Sequence, residues 1–238
     1  MQLPRPLHSG TLLRRYKRFL ADVLLDDGTQ ITAHCPNPGR MTGLDTPGSP
    51  VWLSHTSRAG RKHPHTLELV EAEGQLVGIN TGRPNGIVAE ALEARRIDAL
   101  AGYAGMRREV RYGTRSRIDL LLEDPERVCC WVEVKNVHLR RDQGPNPGAA
   151  EFPDAVTARG ARHLHDLAAR VREGERAVMV YVVQRMDCDR FCVAADIDPD
   201  YAEALAAATT AGVEAICYDC TVTTEAVTLR SPLPLDLG

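Results

Sequence analysis

The sequence predicts an α/β (α+β) chain in two parts: a small OB-like β-barrel over residues 1–82 and a mixed-sheet domain over 83–238. Three observations carry this. The first 80 or so residues break into short strand-like runs punctuated by Pro and Gly. Near Ile87 the pattern switches to helical spacing, and from there helix, antiparallel hairpin, helix and buried strand follow in an α/β order.

In the first part, Phe19–Leu25 runs into the turn signal Asp26-Asp27-Gly28, and Gln30–His34 follows as the second arm of a hairpin. Val51–Ser54, Thr66–Val70 and Gln75–Ile79 complete a set of five short strands, the size of a small barrel such as an OB-fold. A fragment of a β-sandwich would show the same pattern.

In the second part, Ile87, Ala91, Ala94 and Ile97 repeat at helical spacing over 87–100. Arg108–Tyr112 reads as a strand. Arg117–Leu122 and Val128–Val137 form a hairpin about the turn Asp124-Pro125-Glu126. A Gly/Pro loop covers 142–152. A helix from Pro153 or Asp154 ends before Gly174, and the apolar run Ala177–Val183 is a strand buried on both faces. A short Ala-rich helix, Tyr201–Ala211, and a strand, Val213–Tyr218, close the pattern.

Composition narrows the function classes. Apolar residues make up 43% and charged residues 26%, as in a soluble globular chain. No run is long enough to span a membrane, and Met1–Lys17 lacks the apolar segment of a secretory signal, so a cytoplasmic protein is expected. Seven cysteines, an odd number, point to free thiols. The net charge of −3 is unevenly spread. From Asp196 onward eight acids face Arg230 alone, so the first 195 residues carry +4. Arg14, Arg15, Lys17 and Arg18 surround Tyr16, a patch that could follow phosphates while the ring stacks on a base, or that could be a solvated basic edge.

The chemistry concentrates in the hairpin. Glu133 and Lys135, two apart, share a strand face, with Val132 and Val134 on the other. The turn brings Asp119 level with Glu133. Three charges among Ile118, Leu120, Leu121 and Leu122 are costly unless they pair or hold a cation. Two carboxylates offer hard oxygens for Mg²⁺ or Mn²⁺, and such an ion can stabilise phosphodiester hydrolysis. The lysine can stabilise developing charge or help deprotonate the attacking water. A plain Lys–Asp or Lys–Glu pair on a half-exposed hairpin would use the same residues.

Three blocks, Ser116-Arg117-Ile118-Asp119, Val132-Glu133-Val134-Lys135 and Phe152 to Arg159 followed by His163-Leu164, resemble the SfsA (sugar fermentation stimulation protein A) family. So do Arg15 to Asp22, His34-Cys35-Pro36-Asn37 and Met41-Thr42-Gly43. The resemblance runs nearly the whole chain. It implies an N-terminal OB-like barrel, a C-terminal PD-(D/E)XK nuclease-like domain, non-specific DNA binding, and a regulatory role in sugar (maltose) metabolism. On that pattern Asp119 and Glu133 are the metal carboxylates, Lys135 is the motif lysine, and Glu90 stands where such domains often add an acid. The sequence departs locally: Pro38 and Arg40 replace an expected Thr and small residue, and the loop 142–151 is rich in Gly and Pro. The expected nucleic-acid contacts are Arg14, Arg15, Tyr16, Lys17, Arg18, Asn37, Arg40, Arg117, Thr157, Arg159 and His163. DNA is the expected partner, with RNA open.

On the helix after the loop, Val156, Gly160, Leu164, Leu167 and Val171 share one arc. Thr157 lies near that arc, and Arg159 and His163 border it. Facing a charged site, they are either substrate contacts or satisfied buried groups. Cys188-x3-Cys192 and Cys217-x2-Cys220 have zinc-like spacing, but strand residues three apart point to opposite faces, so no zinc is expected. Two functions remain: a divalent-metal-dependent nuclease, and a DNA-binding regulator without turnover. The clustered acids, which would repel phosphate, favour the first.

Overall fold

The computed structural model describes all residues except 58–59 and 113–115, together with the side chain at 116. The N-terminal part holds β1 (Leu7–Tyr16), β2 (Leu20–Leu25), β3 (Gln30–His34), β4 (Pro50–His55), β5 (His65–Ala72) and β6 (Gln75–Gly78). Strand pairing runs β3-β2-β1-β4-β5, and a β3–β5 contact at His34 and Thr66 closes the ring. This is the OB topology. The expected number of barrel strands is correct but the set differs. β6 is an appended hairpin on β5, and β1, absent from the sequence reading, is the strand that closes the barrel. Its alternation is masked for two reasons. A Cβ at Gly10 would come 2.5 Å from the Leu24 carbonyl oxygen, so that position admits only Gly. The ladder also shifts between Leu12 and Arg14, and Leu13 is turned outward.

The C-terminal part contains α1 (Pro84–Glu93), β7 (Gly105–Tyr112), β8 (Ser116–Asp124), β9 (Arg127–Val137), β10 (Ala150–Phe152), α2 (Ala158–Arg172), β11 (Arg176–Val183), β12 (Phe191–Val193), α3 (Pro199–Thr210), β13 (Glu214–Val222), β14 (Val227–Pro232) and β15 (Leu235–Asp236). The main sheet has the order β14-β13-β11-β9-β8-β7. Its centre, β9-β11-β13, is parallel because α2 and α3 supply the crossovers, and its edges are antiparallel. β10, β12 and β15 form a small separate sheet.

β11 sorts its residues between two cores. Val178, Val180 and Val182 pack in the layer that contains α1. Ala177, Met179, Tyr181 and Val183 pack in the layer that contains α2 and α3. The same alternation separates Cys217 from Cys220, which lie in different layers.

Two helices start elsewhere than read. α1 spans Pro84–Glu93, with Pro at its first turn, and Arg95 takes a left-handed φ of 54° just beyond it, leaving Ile97 outside. α2 begins at Ala158 rather than near Pro153, because the Thr157 hydroxyl accepts the Gly160 amide at 3.0 Å as an N-cap. The two parts are joined by polar contacts. The Gly78 amide donates to the Gln184 carbonyl at 2.8 Å, and the Met41 amide donates to Asp154 Oδ2 at 3.3 Å. The first residues pack on the second part, where Gln2 bridges Ala226. No helix is long and apolar enough to cross a membrane among the described residues.

Candidate functional site

β9 runs through the middle of the sheet, so alternate side chains enter opposite cores. Cys130, Val132 and Val134 enter the α1 layer, while Trp131 packs in the α2 layer, the side that Glu133 and Lys135 also face. The register Leu120↔Val132 sets Asp119 of β8 opposite Glu133. There Asp119 Oδ2 accepts the Val134 amide at 2.7 Å, taking the place of a strand carbonyl. Its other oxygen accepts Asn85 Nδ2 of α1 at 2.8 Å. Burial and the neighbouring Glu133 charge push the Asp119 carboxyl up to about 6, against the two hydrogen bonds that favour its charge.

Glu133 is 2% exposed. Lys135 Nζ donates to its Oε1 at 2.7 Å, and Nδ1 of His163, on α2, lies against the same oxygen. Arg159 Nε donates to His163 Nε2 at 3.2 Å, which leaves the imidazole proton on Nδ1, facing Glu133. Burial opposes the Glu133 charge, but the imidazole and the ammonium outweigh it and hold this carboxyl below its ordinary value. Oε2 of Glu133 is buried and has no hydrogen-bond partner among the described residues. The pair therefore divides its roles: Glu133 stays ionised, and Asp119 takes a proton as pH falls through about 6.

The structure thus gathers Asp119, Glu133, Lys135, His163 and Arg159, and adds two residues that the sequence reading missed. Asn85 holds Asp119 from α1. Tyr112, at the end of β7, carries a buried hydroxyl without a partner among the described residues. Burial and the charges of Glu133, Asp166 and Asp119 raise its pKa above the ordinary range. Neither residue belongs to the Asp-x13-Glu-x-Lys spacing, so no sequence signal marks it.

Other expected site residues lie elsewhere. Glu90 is half-exposed and pairs with the Met1 ammonium at 2.7 Å, because it leaves α1 about 140° around from Asn85. Thr157 is a helix cap rather than a free contact. Arg15 is buried, and its guanidinium donates to the carbonyls of Asn37, Gly39 and Arg40. Asn37 is 1% exposed and donates to the Ile79 carbonyl at 2.9 Å. Both residues shape the loop. Arg14 pairs with buried Asp22 at 2.8 Å and lies 4.7 Å over the Tyr16 ring, whose hydroxyl also reaches Asp22. Lys17, Arg18, Arg40 and Arg117 are exposed. Among the described residues no three His, Cys, Asp or Glu side chains enclose an ion; the carboxylates that converge are a pair.

Comparison with known proteins matches this architecture. Residues 13–79 match the model described as SfsA N-terminal OB domain, and residues 82–226 match the Sugar fermentation stimulation protein RE domain. The sugar fermentation stimulation protein homolog of Rhodospirillum centenum is 62% identical over 235 residues, covering 99% of each chain. That of Paramagnetospirillum magneticum is 57% identical over 237 residues, covering 100% of this chain and 98% of the relative. Among solved structures, Pyrococcus furiosus SfsA in complex with Ca²⁺ superposes with a TM-score of 0.86 at 29% identity, over 99% of this chain and 98% of that one. With a barrel and a mixed-sheet domain that each match their own family model, the chain belongs to the SfsA (sugar fermentation stimulation protein) family.

Proposed function

We propose that the protein binds nucleic acid, DNA first, and hydrolyses its phosphodiesters with Mg²⁺ or Mn²⁺ at Asp119 and Glu133. One observation carries this reading: Glu133 Oε2 is buried with no hydrogen-bond partner among the described residues, beside a second carboxylate that is reluctant to ionise. A divalent cation satisfies both. The donors are hard oxygens, the kind such ions take. The P. furiosus relative was solved with Ca²⁺, another hard divalent ion. When bound, the ion would supply Lewis-acid stabilisation of the phosphate and an acidified water.

The chain's own residues do the rest. Glu133, kept ionised, and Asp119, once deprotonated, would hold the cation. Lys135, tethered to Glu133, keeps its ammonium beside the pair, where it can stabilise charge growing on the phosphate. His163 fixes the orientation of Glu133, and Arg159 fixes that of His163. Of the expected nucleic-acid contacts, Lys17, Arg18, Arg40 and Arg117 are exposed cations that can meet a phosphate backbone. The direct test incubates purified protein with labelled single- and double-stranded DNA and RNA in Mg²⁺, Mn²⁺ or EDTA. Metal-dependent cleavage that Asp119→Asn abolishes supports the reading. No cleavage of any substrate sinks it.

A second reading, a DNA-binding regulator of sugar metabolism without turnover, also has an observation behind it. Glu133 Oε1 is already engaged by both Lys135 and His163, so one acid of the pair is partly neutralised within the chain. On this reading the same assay shows binding and no hydrolysis.

A further inference from the structure

A cavity of about 410 Å³ opens where the barrel meets the start of α1, lined by Pro4, His34, Pro36, Arg61 and Arg83 over a floor at Glu68. That volume falls within the range of roughly 300–1,000 Å³ typical of small-ligand pockets. The floor acid does not repel an anion, because its charge is already matched. Ser54 Oγ and Arg83 Nη2 donate to Glu68 Oε1, each at 2.7 Å, while Asn80 Nδ2 and Arg83 Nε donate to Oε2 at 2.7 and 3.1 Å. Arg83 retains Nη1 for a ligand. Arg61 is exposed and bonds only to Thr66 Oγ1, at 2.8 Å, among the described residues. Arg83 offsets Glu68, so Arg61 supplies the net positive charge of the pocket and Arg83 Nη1 a further donor, a combination that suits a phosphate. The two prolines offer flat apolar walls. His34 lines the same cavity, and its Nδ1 is buried with no partner among the described residues.

The position of the cavity gives it a role. Arg83 is the N-cap of α1, and Asn85, two residues on, holds Asp119. The two side chains leave opposite sides of the same helix end, with Cα atoms about 5 Å apart. The start of α1 therefore stands between the cavity and the acid pair, and a strand seated in the cavity would cross that helix end to reach Asp119.

We propose that this cavity is a nucleotide subsite: it takes one unpaired nucleotide of the strand whose phosphodiester lies at Asp119 and Glu133. The substrate is then single-stranded at that point, because a cavity of this size admits a nucleotide but not a base pair within a duplex. This rests on the phosphodiesterase reading of the acid pair and adds the strand class to it.

The test measures binding in EDTA, where turnover plays no part. Fluorescence anisotropy compares a labelled oligothymidylate with a blunt hairpin duplex, for wild type, Arg61→Ala and His34→Ala. Arg61 is exposed, so its variant folds; circular dichroism confirms this for both. The expected result is a preference for the single strand that drops about tenfold in Arg61→Ala, with duplex affinity unchanged. The salt slope for the single strand should fall by about 0.7 for the lost phosphate contact. An oligonucleotide carrying 5-iododeoxyuridine should photocross-link to peptides lining the cavity. Equal single-strand affinity in wild type and both variants overturns the subsite, as does a wild type that prefers duplex. The two readings can fail separately. Cleavage that persists with cavity-independent binding removes the subsite and leaves the nuclease; cavity-dependent binding without cleavage in Mg²⁺ or Mn²⁺ does the reverse.

Discussion

His163 points its Nδ1–H at Oε1 of Glu133, so that α2 and the central strand β9 meet through a hydrogen bond on the side where Leu164, Leu167 and Met179 pack. The bond keeps a buried carboxylate charged. His163→Ala leaves Lys135 as the sole partner of Glu133 among the described residues and lets burial dominate. The variant should lose on the order of 2 kcal/mol in urea unfolding at pH 7 without divalent ions. The Glu133 pKa is depressed in the folded state, so this stabilisation is present above its ordinary value near 4.5 and fades as pH falls through the lower folded value. A loss that stays the same from pH 7 to pH 3 would show that the imidazole matters for packing alone.

Asp119 titrates the other way. Its folded carboxyl sits near 6, above the ordinary 3.8, so the fold favours the protonated form. The resulting stabilisation is complete below about pH 4 and is lost as pH rises through 6. Asp119→Asn mimics the protonated form. In EDTA at pH 8 it should raise stability by roughly 2–3 kcal/mol, an upper figure given the partial exposure of the group, and at pH 4 it should change little. Thermal melts at the two pH values check this. A variant less stable than wild type at pH 8 contradicts the burial of a strained charge here.

The basic stretch Arg14–Arg18 divides by role. Arg15 holds three loop carbonyls from a buried position, so Arg15→Ala should cost on the order of 2 kcal/mol in stability. Lys17 and Arg18 lie exposed with left-handed φ values of 49° and 63°. Replacing both with Ala should leave stability within about 0.5 kcal/mol. It should flatten the salt dependence of duplex binding by up to about 0.9 per lost contact. The pairing of urea unfolding with salt titration separates the two roles, and a stable Arg15→Ala with a flattened slope would reverse the assignment.

Much of this was legible in the sequence where a residue's neighbour is set by period or register. Two-residue alternation puts Glu133 and Lys135 on one face, and the short hairpin brings Asp119 opposite them. The near-continuous apolar run of β11 predicts its burial in two layers. The rest depends on contacts between distant segments. Asn85 reaches Asp119 across 34 residues and His163 reaches Glu133 across 30, and no local pattern encodes such pairs. The same limit explains Arg15 and Asn37. Their composition suggests a DNA-facing patch, yet closure of the barrel turns both inward on the 37–40 loop. Glu90 failed for the same reason. Its place on a helix was readable, but which face of α1 meets the acid pair is set by packing between distant segments: Asn85 takes that face, and Glu90 lies about 140° around from it.

Loading the site with a cation should release a proton, which gives a readout independent of turnover. In the metal-free protein Asp119 is about half protonated near pH 6. A ligand to a divalent ion must be deprotonated, so binding and deprotonation are coupled. Titration calorimetry with Mn²⁺, run in two buffers of different ionisation enthalpy, counts the protons. About three-quarters of a proton per ion should leave at pH 5.5, about half at pH 6, and almost none at pH 8, with affinity rising over the same interval. Glu133→Gln should abolish the binding, since it removes the one carboxylate that is ionised throughout. In melts with excess Mn²⁺ the wild type should gain about 2.7 kcal/mol at a hundredfold excess over Kd, and Glu133→Gln should gain nothing. Proton release that is absent at every pH, with Mn²⁺ still bound, would mean that the ion sits away from Asp119.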